Sequence, residues 1–190
     1  MSKSHHPNRL NMQAFAHEGV PIAETTPLQN MERLAYEAQA PSPDSAISWK
    51  ASAELRPGGQ AEDDVWLHLT ASALVPLTCQ RCMGTVDMPL EVNQWYRFVA
   101  TEAIAMAQDD DSEEDLLVME PQFDLLAVLE DELLMALPLV PMHGECPTPP
   151  VMQVGEEALA PLARNDGDDQ RPGEKPNPFA ALAQLKTKND

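Results

Sequence analysis

Three stretches of the chain alternate apolar and polar residues with a period of two. In AISWKASAEL the odd positions Ile47, Trp49, Ala51, Ala53 and Leu55 are apolar, and the even positions Ser48, Lys50, Ser52 and Glu54 are polar. That is the pattern of a half-buried strand. RPGGQ turns the chain, and VWLHLTASALVPL resumes the alternation with Val65, Leu67, Leu69, Ala71, Ala73 and Val75 on one face. VDMPLEVNQWYRF continues it with Val86, Met88, Leu90, Val92, Tyr96 and Phe98. The last two stretches form a long hairpin with CQRC at its tip. Pro76 and Pro89 fall inside this hairpin, and because proline donates no hydrogen bond to a ladder they belong at edges or bulges.

Elsewhere the period lengthens. PLQNMERLAYEAQA places Leu28, Met31, Leu34 and Ala35 on one helical face. QFDLLAVLEDELLMALP gives the strongest helix, over 122–137, with Phe123, Leu126, Leu129, Leu133 and Leu137 along one side and Pro138 as its stop. Its apolar face is expected to cover the sheet. Between hairpin and helix, AQDDDSEED reads as a solvated loop and LLVM as a candidate last strand. The expected fold class is α+β: a small, curved antiparallel sheet, barrel-like in its curvature, packed by one main helix.

The chain divides by composition. Residues 1–27 hold no sustained period and read as a flexible arm with at most a short docked segment; 28–150 form the core domain. Residues 151–176, rich in Asp, Gly and Pro, read as a disordered linker. In 177–187 Asn177 is a helix N-cap, Pro178 the first helical residue, and Phe179, Leu182 and Leu185 an apolar stripe, which suits a short recognition helix. No apolar run is long enough to span a bilayer, no secretory h-region opens the chain, and three cysteines fit a reducing compartment, so the expected location is the cytoplasm with no membrane partner.

Charge narrows the partners. The net charge is −19, and between Arg97 and Arg164 there is no lysine or arginine, whereas fifteen of the 31 acidic residues lie there. Phosphate backbones are bound by Lys and Arg that displace counterions, so this region points away from direct nucleic-acid contact and toward a basic protein. Glu130, Asp131 and Glu132 crowd the middle of the main helix with no cation nearby in sequence, and read either as a solvated face or as a partner-binding cluster.

The candidate chemistry is confined to cysteines. Cys79 and Cys82 form a C-x-x-C with Gly84 following, and MHGEC adds His143 and Cys146. A tight turn aims the first two thiolates at one point, with the glycine accepting the conformation that follows, and the four together make a zinc ligand set if the chain returns to the hairpin tip. The alternative is a set of reduced thiols. Strands rather than a helix flank the pair, against thioredoxin-like redox work. A cysteine nucleophile with His143 as base has no orienting acid, and there is no Gly-rich phosphate loop, G-x-S-x-G or H-E-x-x-H. No catalytic residue is assigned.

LTCQRCMGTVDMPLEV, an acidic loop, FDLLAVLEDELLMALPLVPMH and KPNPFAALAQLK, in that order, resemble the YceD family of bacterial large ribosomal RNA subunit accumulation proteins. The residues that carry the resemblance are Cys79, Cys82, Glu130, Asp131, Glu132, Pro138, Pro141, Asn177, Pro178 and Phe179. It implies a non-enzymatic, cytoplasmic role in the synthesis, processing or stability of large-subunit (23S) ribosomal RNA. With the acidic composition it suggests binding of a basic ribosomal protein or assembly factor, and indirect association with the RNA. Direct RNA binding, or a zinc-dependent RNA-processing module, is the alternative. The family's denser cysteine cluster after the proline pair is represented here by Cys146 alone.

Overall fold

The three alternating stretches become the central strands of a five-stranded sheet. In a computed structural model, which describes residues 6–58 and 63–148, β1 is Ile22–Pro27, β2 Ala46–Arg56, β3 Asp64–Thr78, β4 Thr85–Val99 and β5 Asp115–Val118. The strand order is β1-β2-β3-β4-β5; the first three pairings are antiparallel and β4–β5 is parallel. The sheet is open, with β1 and β5 at its edges, so it does not close into a barrel. A parallel neighbour needs a crossover, and α3 (Glu102–Gln108) supplies it just ahead of the acidic run.

Alternation decides which face is buried. Ile47, Ala51, Leu67, Leu69 and Val75 are fully buried, with Tyr96 and Phe98 nearly so, each large side chain contributing ~1.5–3 kcal/mol on leaving water. On the open face the Arg56 guanidinium lies 4.3 Å from the ring centres of both Trp66 and Trp95. His68 stacks on Trp95 at 4.2 Å. Large aromatics are thus accommodated at outward positions by covering one another.

Pro76 and Pro89 sit in strands that are interior by order yet locally at an edge. Pairing of β2 with β3 ends at Ala73, so Pro76 lies past β2, and its carbonyl accepts instead from the Gln39 N–H at 2.7 Å. β5 pairs with β4 only over Tyr96–Val99, leaving Pro89 paired on one side, opposite Leu74.

The described part of the expected arm is a built element of the domain. Leu10, Met12, Phe15 and Ala16 are buried, α1 spans Met12–Glu18, and β1 follows it as an edge strand. Asn11 caps the helix by accepting from the Ala14 N–H at 2.9 Å, and Gly19 ends it at φ 61°. Seven residues are too few to show a helical period, so the sequence pattern does not reveal this helix. Trp49 Nε1 donates to Thr26 Oγ1 at 2.9 Å, tying β1 to β2 inside the core.

α2 (Glu32–Glu37) buries Leu34, with Leu28 and Met31 just before it also buried. α4 (Leu125–Met135) packs through Leu125, Leu129 and Leu133. Leu126 and Leu137 of the expected face are only half-buried. Leu126 is turned by about 100° from Leu125 and Leu137 lies beyond the helix end, while Asp124 Oδ1, accepting from the Ala127 N–H at 3.0 Å, starts the helix at Leu125, later than the apolar pattern suggests. All described residues fall within the unit Met1–Pro149. The expected linker from 151 and the helix at 177–187 lie outside the described residues.

Candidate functional site

The tip between β3 and β4 is a tight knuckle. The Cys79 N–H donates to the Gly84 carbonyl at 2.8 Å and the Met83 N–H to the Cys79 carbonyl at 2.9 Å. The left-handed conformation that the turn requires falls on Met83, at φ 59°, and not on Gly84. After α4 the chain returns over this tip. The Gln80 N–H donates to the Pro141 carbonyl at 2.9 Å and so fixes the segment that carries His143 and Cys146.

The four predicted ligands meet there. Cys79 Sγ and Cys146 Sγ are 4.0 Å apart, Cys82 Sγ and His143 Nδ1 3.5 Å, and one ligand atom from each residue lies within 4.8 Å of every other. Around zinc, with Zn–S of ~2.3 Å and Zn–N of ~2.0 Å, a tetrahedron has sulfur–sulfur edges of ~3.8 Å and sulfur–nitrogen edges of ~3.5 Å. The residues therefore fit a zinc ion. Burial pushes the Cys79 thiol up, but the backbone N–H groups of Cys82, His143 and Arg81, aided by the His143 side chain, outweigh it and hold the thiol down to about 5. The His143 N–H lies 3.4 Å from that sulfur. Burial, then the neighbouring Cys82 and Cys79, push Cys146 up to about 11. The two thiols are thus shifted in opposite directions, and a bound cation is what would favour the thiolate form of both.

The acidic cluster on α4 is not a plain solvated face. Glu130 is turned inward: its carboxylate accepts from the backbone N–H groups of Arg33 at 2.7 Å and Leu34 at 3.2 Å, and from Arg33 Nε at 3.1 Å. Asp131, its side chain 54% exposed, takes Arg33 Nη1 at 2.5 Å. Glu132 accepts from the Tyr96 hydroxyl at 2.6 Å. Burial and then Glu132 raise the Tyr96 hydroxyl far above its ordinary range, so it stays a donor. The cluster does have a cation, and the cation comes from α2. Arg33 was not legible as its partner, since nothing local links positions 97 residues apart.

A second arginine works similarly. Arg97 reaches Glu114 at 2.7 Å, Gln108 at 3.1 Å and Ser112 at 2.9 Å, pinning the acidic segment to β4. Asn177, Pro178, Phe179, Leu182 and Leu185 lie outside the described residues. No helix among the described residues is long and apolar enough to cross a membrane.

A family model described as large ribosomal RNA subunit accumulation protein YceD matches residues 67–186, more than half of the chain. The chain belongs to the YceD family. A relative of that description from Haemophilus influenzae is 38% identical over 123 residues, covering 60% of this chain and 61% of the relative. No solved structure matches. In this YceD chain the match takes in the knuckle, both ends of the ligand set and α4, but not α1, β1, α2 or β2.

Proposed function

We propose that this chain supports accumulation of the large-subunit ribosomal RNA without acting on RNA chemically, by holding a basic ribosomal protein or assembly factor in the cytoplasm. Membership of the YceD family motivates the pathway. The observation that carries the mode of action is the excess of acid in one segment: from Ala100 to Thr148 the chain has no lysine or arginine, and Arg33 and Arg97 from outside it offset only Glu130, Asp131 and Glu114. Such a surface repels phosphates and attracts a cationic protein at long range.

Zinc at Cys79, Cys82, His143 and Cys146 is the second part of the reading. Three sulfurs and one nitrogen complete a tetrahedron and leave no position for water, as in structural rather than catalytic sites. The ion would lock the 138–146 segment to the hairpin tip. A zinc-dependent processing activity is less well supported by so closed a set.

Affinity capture of the tagged full chain from growing bacterial cells, with proteins and RNA identified separately, tests the reading. The expected result is a basic ribosomal protein or assembly factor retained after ribonuclease treatment. RNA retained after proteins are removed, with no basic protein, would replace it with direct RNA binding.

A further inference from the structure

Carboxylates on α3 and just after it, after β5 and at the cap of α4 surround a groove of about 490 Å³ along the β5 edge of the sheet. Met106, Leu117, Val118 and Val128 supply its apolar lining. Glu102, Asp109, Glu120 and Asp124 stand around it, and no lysine or arginine lines it. Asp124 uses one oxygen on the α4 cap; among the described residues no cation pairs with Glu102, Asp109 or Glu120. Met106 is 75% exposed, a flexible thioether of the kind that adapts to varied partners. Among the described residues β5 is hydrogen-bonded only to β4, so its second edge is open to an added strand.

We infer that this groove seats an extended segment of the basic partner, with an apolar side chain on the Met106–Val118–Val128 lining and lysine or arginine on either side toward Glu102, Asp109 and Glu120. The inference rests on the basic-partner reading above and gives it an address. Like charges around a low-dielectric lining repel one another, and only a cationic occupant relieves that repulsion while covering Met106. The chain's own tail is the poorer match: in 164–190 five basic residues meet five acidic ones, and 151–163 adds Glu156 and Glu157.

The test titrates the isotope-labelled full chain with a synthetic peptide alternating Lys and Val, and with its Glu–Val counterpart. The Lys peptide should shift the backbone signals of Met106, Val118 and Val128, and the Glu peptide should not. E102K with E120K should weaken the Lys peptide by about tenfold or more, whereas D87K with E91K, the same charge change on the open face of the sheet, should leave it within about twofold. If E102K/E120K does not fold, E102Q/E120Q carries the comparison with a smaller loss in the same direction. Equal weakening by the two pairs, or shifts centred elsewhere, would overturn the groove. Displacement of the 177–187 signals by the peptide would also overturn it, since the tail would then be the occupant. Failure here is separable from failure of the parent reading. A basic protein still captured from cells by E102K/E120K refutes the groove alone, whereas none captured by the unaltered chain refutes the reading beneath it.

Discussion

Glu130 caps a helix to which Arg33, 97 residues away in sequence, belongs: its Oε1 accepts the backbone N–H groups of Arg33 at 2.7 Å and Leu34 at 3.2 Å. These are the second and third residues of α2, whose N-cap residue, Met31, makes no side-chain cap hydrogen bond. A helix start leaves its first N–H groups without internal partners, and here the acceptor comes from α4. The negative charge also sits at the positive end of the α2 dipole. Glu130→Ala should therefore destabilise the domain by ~2–3 kcal/mol, because it strands buried donors, while Asp131→Ala, an exposed pair, should cost no more than ~1 kcal/mol. Urea unfolding of both variants checks the order. Charge reversal of the whole 130–132 cluster would thus confound partner binding with folding, and Asp131 alone is the clean site for that experiment.

The knuckle gives a metal prediction. Protein carrying His5→Ala and His6→Ala, prepared without chelator, should hold about one zinc per chain. Cys146→Ser should lower both zinc content and melting temperature. Less than a tenth of an equivalent, with three freely titrating thiols, would sink the assignment.

In the chelated protein the two thiols set opposite pH trends. Cys79, at about 5, lies below the ordinary thiol value of 9.0, so its contribution is complete above 9.0 and lost as pH falls toward 5. Cys146, at about 11, contributes fully below 9.0 and loses its contribution as pH rises through 11. Stability of the chelated form should rise from pH 5 and fall again above 9.0, and Cys79→Ser should remove the lower limb. Thermal unfolding across pH, with thiolate absorbance as a second readout, checks this.

Met83 holds a left-handed conformation at φ 59° and is 67% exposed. A non-glycine residue there costs ~1–2 kcal/mol. Met83→Gly gives back part of that as greater unfolded-state freedom, leaving an expected gain of ~0.5–1 kcal/mol with unchanged zinc content. A loss of stability would mean that Met83 packs against something the turn needs.

Truncation after Arg171 separates two roles for the 177–187 segment. As a recognition helix its removal should leave the melting temperature in place and abolish support of large-subunit RNA accumulation in cells. Loss of stability alongside would make it a docked part of the domain, and retained accumulation would show that Phe179, Leu182 and Leu185 are not the working end.

By itself the sequence determined the strands β2, β3 and β4 nearly to the residue, the cysteine knuckle at the hairpin tip and the helix before Pro138, because each is written as a local period or a short turn signal. Four ligand residues were legible as types, in two halves. Only the tertiary structure decided that Cys79 and Cys146, 67 residues apart, lie 4.0 Å from one another, since that meeting depends on the path of α4 and on the Gln80–Pro141 hydrogen bond. It also decided that β5 pairs in parallel, that α1 and β1 belong to the domain, and that Glu130 faces Arg33. None of these leaves a local trace. Burial of Phe15 needs only a spacing too short to recognise, and a carboxylate that completes a distant helix looks, in one dimension, the same as one that faces water.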